Sequence, residues 1–248
     1  MKKINRSGIS HAARSFIESV TGWHIYGRYL PFGFDPLHDI SRKFPSFNPT
    51  VCFDVGANRG DRTEGFLKQY LGSKVYCIEP GEESYEFLRQ RFVGNPRVSL
   101  SHFAFGDRET QGVLAGPTHD MLKIIDVDPS EAIDSGDICI VSTVDIFMEA
   151  EGISHIDYLK VDTEGYEANV LNGASSALSD GCISIIELEC GFGTINDTHC
   201  RFVEISDFLS ERNYHIFGLY EQTLDWKTPS RTLRRANAIF VSNDLACG

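Results

Sequence analysis

The fold is decided by residues 51–60, which read VCFDVGANRG. A short, mostly apolar run of strand-forming residues leads into a turn that contains Gly56 and Gly60, and a helical pattern begins directly after it. Glycine suits both positions because it allows a sharp backbone turn and lets a ligand approach without a clash with a Cβ atom. The stretch therefore predicts a buried strand, a tight turn and a helix N-terminus that can face a bound anionic group.

Apolar strand patterns alternate with helical patterns along the rest of the chain, as is typical of βαβ units. We predict an α/β, Rossmann-like sheet of seven strands that is mostly parallel, with the last strand antiparallel and helices on both faces. The predicted strands are residues 51–55, 74–78, 98–105, 156–161, 182–188, 214–219 and 238–241, and the predicted helices are residues 61–70, 82–92, 144–151, 166–178 and 201–212.

Two segments depart from this alternation. Residues 1–49 are rich in aromatic residues and prolines, and we predict that they form a lead-in that packs on a domain of residues 50–248. Residues 107–142 are predicted to be an insertion, in which 112–115 and 138–141 pair as antiparallel strands. The polar, acidic loop between them, at 116–137, is of a length that is usually functional or disordered.

Composition excludes several classes of protein. The 248-residue chain has a formal net charge of −12, whereas a nucleic-acid-binding protein normally presents a basic face. Its seven cysteines include no C-x-x-C pair, which indicates free thiols in a reducing compartment. No stretch is apolar for long enough to span a membrane. We expect a cytoplasmic protein with a small-molecule or saccharide partner and no nucleic-acid partner, and a homo-oligomer is possible.

The glycine turn differs from the one that binds dinucleotides. It reads G-x-N-x-G at residues 56–60, whereas a dinucleotide site favours G-x-G-x-x-G, and Asn58 disfavours close approach of a pyrophosphate. A ligand with an amino-acid group fits better, because Asp54 can accept a hydrogen bond from an ammonium and the helix end can bind a carboxylate. The alternative is an ordinary strand-to-helix turn of a doubly wound fold.

Two further strand ends carry candidate binding residues. Glu79 ends the second predicted strand, about twenty positions after the glycine turn, where an acidic side chain can hold the hydroxyls of a ribose. Phe105 and Asp107 end the third strand and could frame an adenine, although a Gly-Asp pair is also common in plain turns. Since ligands of open α/β sheets bind at the carboxyl ends of the strands, one adenosyl ligand could contact all three strand ends.

Several segments together resemble the FkbM family of methyltransferases. The similar segments are residues 53–60 (FDVGANRG), 78–80 (IEP), 158–167 (YLKVDTEGYE), 170–174 (VLNGA) and 237–241 (NAIFV). The resemblance covers about residues 50–242 and implies a seven-stranded sheet, S-adenosyl-L-methionine as methyl donor, and O-methylation of a sugar or secondary metabolite. It further implies that the cofactor is lined by Asp54, Gly56, Asn58, Gly60 and Glu79, with Asp107 as an addition.

Acidic residues follow the fourth and fifth predicted strands and are expected to cluster beside the methyl donor. We predict catalytic roles for Asp162, Glu164 and Glu187, with Asp162 or Glu164 as a base of raised pKa that removes the hydroxyl proton. Alternatively, Asp162, Glu187 and Glu189 could bind Mg²⁺ and lower the pKa of the hydroxyl. Asp162 and Glu164 could also simply cap the next helix.

Two histidines and two other classes of protein fit the sequence less well than a methyltransferase with a carboxylate base. His119, in the long loop, and His155, before the fourth strand, are more consistent with surface positions than with a role at the site. A nucleotide-dependent Rossmann enzyme of another class is disfavoured by the missing G-x-G-x-x-G. A non-catalytic S-adenosylmethionine-binding module remains a third possibility, against which the intact turn at 54–60 and Glu79 argue.

Overall fold

The structure is a computed structural model that describes residues 16–17, 19–21, 30–116, 123–125, 137–193, 199–225 and 231–248. His119, most of the 116–137 loop and much of the 1–49 lead-in lie outside the described residues. None of the helices in the described ranges combines the length and apolarity that a bilayer crossing needs.

The described helices and strands follow the predicted βα order. The strands are β1 (Val51–Val55), β2 (Lys74–Ile78), β3 (Val98–Ser101), β4 (Ala104–Phe105), β5 (Thr110–Ala115), β6 (Lys123–Ile125), β7 (Asp137–Ser142), β8 (Ile156–Val161), β9 (Ile183–Gly191), β10 (Tyr214–Leu224) and β11 (Leu233–Ser242). The helices are α1 (Pro36–Lys43), α2 (Asp61–Gln69), α3 (Glu82–Arg91), α4 (Val144–Glu151), α5 (Glu167–Asn172), α6 (Ser175–Ser179), α7 (Phe202–Ser210) and α8 (Asn243–Cys247).

Seven strands form the main sheet in the order β10-β11-β9-β8-β1-β2-β3. The pairs from β9 to β3 are all parallel, whereas β11 lies antiparallel to both β9 and β10. The prediction of a seven-stranded, mostly parallel sheet with an antiparallel last strand is therefore confirmed. The carboxyl ends of β1, β2 and β8 lie side by side, which makes them one edge at which a ligand can bind.

Helices cover both faces of this sheet, as predicted. On one face, α4 to α7 pack against an aromatic cluster around Phe53, whose ring stacks on that of Phe105 at 6.3 Å. On the other face, α1, α2 and α3 pack against a second cluster that includes Tyr158 and Phe66. Burial of apolar side chains on both faces stabilises the sheet and fixes the positions of its strand ends.

The 107–142 insertion forms a second, smaller sheet with the order β4-β7-β5-β6. The predicted antiparallel pair is confirmed, because Thr110–Leu114 pair antiparallel with Asp137–Val141. Within the predicted loop, Lys123–Ile125 is the strand β6, which pairs antiparallel with β5. The insertion therefore forms a wall beside the carboxyl edge of the main sheet.

Several element boundaries differ from the predictions, and three of these differences lie near the carboxyl edge of the sheet. The strand predicted at 98–105 is divided between the two sheets as β3 and β4, which lets Phe105 turn into the aromatic core. The helix predicted at 166–178 breaks at Gly173, where a Cβ atom would come within 1.9 Å of the Gly106 carbonyl oxygen. The fifth main-sheet strand extends to Gly191, so Glu189 lies within β9 and not after it.

Candidate active site

The glycine turn after β1 lies in close contact with the end of β8. Gly56 has φ +72°, and a Cβ atom on it would come 1.8 Å from the Asp162 carbonyl oxygen. The amides of Gly56 and Ala57 both donate to the Ile78 carbonyl oxygen, at 2.9 and 3.2 Å. Only glycine fits this position, because any other residue would clash with the backbone of β8 and strain the left-handed conformation.

Glu79 joins the glycine turn to the end of β2. Its Oε2 accepts a hydrogen bond from the Asn58 amide and its Oε1 accepts one from the Gly81 amide, both at 2.8 Å. Burial raises the pKa of Glu79, and the two amides oppose that rise. Each carboxylate oxygen retains a further acceptor site, so the pre-oriented side chain can still accept hydrogen bonds from a ligand.

A cavity, here called the edge cavity, opens at the carboxyl ends of β1, β2 and β8 and encloses about 650 Å³, part of it open to solvent. Six residues that the sequence predicted as binding or catalytic lie on its wall, namely Gly56, Asn58, Glu79, Phe105, Asp162 and Glu164. Its apolar side includes Ile78, Leu114 and Ile124, the last two from the insertion. A concave site with an apolar wall and a few oriented polar groups is typical of small-molecule binding.

Three predicted cofactor residues lie outside this lining. Asp54 is fully buried behind the turn, where its Oδ2 accepts a hydrogen bond from Thr63 at 2.7 Å. Gly60 precedes α2, and a Cβ atom there would meet the side chains of Phe92 and Leu88.

Asp107 is likewise separate from the edge cavity. It is exposed and pairs with the adjacent Arg108, at 3.0 Å. In this structure, Asp54 and Gly60 support the turn, and Asp107 belongs to the outer surface.

Lys160, on β8, connects Asp54 with Asp162. Its ammonium lies 3.6 Å from Asp54 Oδ1 and 3.1 Å from Asp162 Oδ2, and only 10% of its side chain is exposed. Although burial acts in the opposite direction, these acids raise the pKa of Lys160, and Lys160 in turn lowers the pKa of Asp162. The expectation of a raised pKa at Asp162 was wrong, because a buried cation stabilises the charged carboxylate.

Glu187 is engaged in a buried network on the same face of the sheet. Its Oε1 pairs with the Arg62 guanidinium, and its Oε2 accepts a hydrogen bond from the Tyr158 hydroxyl at 2.7 Å. Burial raises the pKa of Glu187, and Arg62 and Tyr158 oppose that rise. In contrast to the expectation that Glu187 acts in catalysis or binds a metal, its carboxylate is neutralised by Arg62 and does not line the edge cavity.

Glu167, the last acid of the 158–167 segment, shapes the turn that follows β8. Its Oε1 accepts hydrogen bonds from the amides of Thr163 and Gly165, at 3.2 and 2.9 Å, and its Oε2 accepts one from the Cys200 amide at 3.4 Å. Burial raises the pKa of Glu167, and the backbone hydrogen bonds lower it. By this bonding Glu167 ties the turn that carries Glu164 to the chain segment after β9.

Glu164, Glu189 and His199 form a cluster that the sequence did not reveal in full. The Nδ1 atom of His199 lies 3.2 Å from Glu189 Oε2, and the other Glu189 oxygen pairs with Arg235. His155, for which the sequence favoured a surface position, is partly exposed and bonds to Ser184 at 2.8 Å, at the amino end of β8. The available signal for His199 was its place in the segment that follows the fifth strand, since such segments lie at the carboxyl edge of the sheet.

A second concavity, here called the polar groove, adjoins the edge cavity along α2. It comprises two overlapping depressions that share Asp61, Arg62, Lys160 and Asp162 and extend to Glu221 and Asn237. Asp162 lines the edge cavity and both depressions of the groove. Its carboxylate therefore stands where a ligand in the cavity and a ligand in the groove would meet.

Comparison with known proteins identifies the family. The model of the methyltransferase FkbM domain matches residues 54–216, more than half of the chain. This chain belongs to the FkbM methyltransferase family. The matched range contains the glycine turn, Glu79 and the 158–167 segment, and hence most of the edge-cavity wall of this FkbM methyltransferase.

Comparison with solved structures finds matches at low sequence identity, of which the first shows the same fold. The methyltransferase FkbM from Methylobacillus flagellatus KT is 17% identical with a TM-score of 0.52, and the match covers 78% of this chain and 43% of that one. TrmK from M. capricolum, solved with S-adenosyl-homocysteine, is 11% identical with a TM-score of 0.45, over 87% of this chain and 70% of that one. This FkbM methyltransferase thus spans less than half of the Methylobacillus protein. No curated protein sequence matches it.

Proposed function

We propose that this chain transfers the methyl group of S-adenosyl-L-methionine to a hydroxyl group of a sugar or secondary metabolite. The observation that carries the proposal is the meeting of the edge cavity and the polar groove at Asp162. One concavity suits an adenosyl donor, the other suits a hydroxylated acceptor, and a carboxylate lies between them.

The edge cavity suits the donor by its distribution of polar and apolar groups. Glu79 offers two oriented carboxylate oxygens to the ribose hydroxyls, and Phe105 and Leu114 provide an apolar wall for the adenine. The turn at Gly56 and Asn58 lies between these groups and Asp162, where the amino-acid part of the donor would bind. Family membership supports the same choice of cofactor.

The polar groove suits an acceptor that carries several hydroxyl groups. Arg62 and Lys160 offer donors, Asp61 and Glu221 offer acceptors, and Asn237 offers both. Such a mixture matches sugar hydroxyls, which donate and accept hydrogen bonds at the same time. The net charge of −12 disfavours a nucleic-acid acceptor. All seven cysteines are free thiols, which is consistent with work in a reducing compartment such as the cytoplasm.

In the proposed reaction, the acceptor oxygen attacks the methyl carbon, and the carbon–sulfur bond breaks with its electron pair left on sulfur. The hydroxyl proton leaves for Asp162, which the lowered pKa keeps ionised at neutral pH. A weakly basic carboxylate suffices for this step, because the oxygen becomes strongly acidic as it acquires the methyl group. Lys160 holds the Asp162 carboxylate in place, at 3.1 Å.

The donor half of the proposal is tested by calorimetry with S-adenosyl-homocysteine. We expect saturable binding to the wild type, and binding about tenfold or more weaker in Glu79→Ala, since a hydrogen bond to a charged group contributes about 1.5–3 kcal/mol. Glu86→Ala, on the exposed side of α3, is the matched control. Absence of any binding heat with wild-type protein that is folded by circular dichroism would overturn the proposal.

The acceptor half is tested by incubation with the methyl donor and a panel of sugars and natural-product alcohols. A product heavier by one methylene, together with release of S-adenosyl-homocysteine, is the expected result. Methylation confined to amines or carbon atoms would contradict the proposed hydroxyl acceptor, although it would still show methyl transfer.

A further inference from the structure

Three side chains with metal-ligating atoms converge beside the edge cavity. Glu164 in the turn after β8, Glu189 on β9 and His199 after β9 each contribute one ligand atom, and these atoms all lie within 4.8 Å of one another. Glu189 and His199 are buried, whereas Glu164 is partly exposed and lines the edge cavity. Glu164 is thus the member of the cluster that adjoins the edge cavity.

The spacing of the histidine and one carboxylate suits two ligands of one ion. Bonds of about 2.1 Å from a metal to nitrogen and oxygen place neighbouring ligand atoms about 3.0–3.4 Å apart. His199 Nδ1 and Glu189 Oε2 are 3.2 Å apart in the structure. Arg235 pairs with the other oxygen of Glu189, so it fixes the carboxylate with Oε2 directed at the histidine.

We propose that Glu164, Glu189 and His199 bind one divalent transition-metal ion, a site different from the Asp162, Glu187 and Glu189 set that the sequence suggested. One imidazole with two carboxylates favours Mn²⁺, Fe²⁺, Co²⁺ or Zn²⁺, whereas Mg²⁺ and Ca²⁺ prefer sites made of oxygen ligands alone. The two negative carboxylates also compensate the charge of the ion, because the charge of Arg235 offsets only part of theirs.

The use of this ion in catalysis rests on the proposed function, whereas its binding does not. The open side of the site faces the edge cavity through Glu164, near Asp162. If an acceptor hydroxyl extended from the polar groove past Asp162 and coordinated the ion, it would become more acidic and would give its proton to Asp162 or to water. The oxygen then bonds to the methyl carbon, and the carbon–sulfur bond breaks with its electron pair left on sulfur.

Co²⁺ tests the site directly, because its visible absorption reports nitrogen and oxygen coordination. Full-length protein is treated with a chelator, freed of it, and titrated with Co²⁺ without donor or acceptor, by absorption and calorimetry. We expect one Co²⁺ per chain, bound about 100-fold more weakly in His199→Ala, since even the loss of a residue that only orients a ligand costs about 10- to 100-fold. Glu164→Gln, in the partly exposed turn, should weaken binding as well.

His155→Ala is the matched control, because His155 is partly exposed and bonds to Ser184 at the other end of β8. It should bind Co²⁺ like the wild type. The proposal is overturned if folded wild-type protein binds no Co²⁺, or if His199→Ala and Glu164→Gln both bind it with unchanged affinity. Binding of S-adenosyl-homocysteine to the metal-free protein, measured in parallel, separates failure of the metal site from failure of the proposed function.

Discussion

At the scale of single residues, Asp162 has the position from which it can act on both substrates. It lines the edge cavity and the polar groove, and its side chain pairs with Lys160. We expect Asp162→Asn to lower turnover about 10²- to 10⁴-fold, the usual contribution of a positioned acid or base, because the amide cannot accept the hydroxyl proton. Binding of S-adenosyl-homocysteine should change little, as measured by calorimetry.

Asp107→Asn is the control for this substitution, since Asp107 is an exposed aspartate near the same sheet edge but outside the cavity. It should retain both turnover and donor binding. Parallel loss of turnover and donor binding in Asp162→Asn would assign Asp162 to support of the cofactor and not to the reaction.

The sequence identified residues of the site wherever local spacing determines the position of a side chain. Gly56, Asn58 and Glu79 are each set by a strand end and its turn, and all three line the edge cavity. His199 was missed because it belongs to no periodic strand or helix pattern in the sequence, so no local signal ties it to the site. The partners of Glu187 were missed for a similar reason, since Arg62 lies 125 positions away along the chain.

At the scale of elements, the contact between the β1 turn and β8 depends on the absence of a side chain at Gly56. We expect Gly56→Ala to lower the free energy of unfolding by more than the about 1–2 kcal/mol that left-handed strain alone costs. The additional loss arises because the new Cβ atom would lie 1.8 Å from the Asp162 carbonyl oxygen, so β1 and β8 must separate. Urea denaturation measures the loss, and donor affinity should fall with it.

Gly152→Ala separates strain from contact. Gly152 also has positive φ, +67°, but a Cβ atom there meets nothing within 4 Å. It should show the strain cost alone and unchanged donor affinity. Equal losses of stability in the two variants would show that the approach of the turn to β8 is not tight in solution.

Element order was predictable because apolar periodicity reflects burial, and burial on both faces of the sheet follows directly from the fold. The boundaries of the strands and helices were less predictable than their order. Residues 98–105 were predicted as one strand, yet the chain changes sheets within them because Phe105 finds its partners in the core around Phe53. The break at Gly173 lies where the Gly106 carbonyl oxygen approaches closely, a contact between residues far apart in the chain that no local pattern encodes.

At the scale of the whole molecule, buried carboxylates near the carboxyl edge of the sheet couple stability to pH. Burial raises the pKa of Glu79, Glu167 and Glu187, so the folded state holds protons more readily than the unfolded chain. Their contribution to stability is therefore largest at acid pH and falls as pH rises from the ordinary glutamate pKa to the raised folded value. Asp162 acts in the opposite sense, because its folded pKa is lowered and its contribution is lost only as pH falls through that value.

Glu167 is the suitable residue for measuring this coupling. Its partners are backbone amides and the Cys200 thiol, and burial raises the pKa of that thiol to about 12, so it stays protonated over the range measured. We expect the stability difference between the wild type and Glu167→Gln to shift against the wild type as pH rises above about 4.5, the ordinary value for this carboxyl. For a single group, this stability difference cannot change by more than about 1.4 kcal/mol per pH unit. The difference should become constant once Glu167 is fully ionised. Urea denaturation of both proteins between pH 5 and about 8 gives the stability difference as a function of pH. Glu204→Gln, at an exposed position of α7, is the control for loss of one carboxylate. A difference that stays constant over this range, or that moves in favour of the wild type as pH rises, would mean that the three amides outweigh burial and that Glu167 is stabilised as a carboxylate.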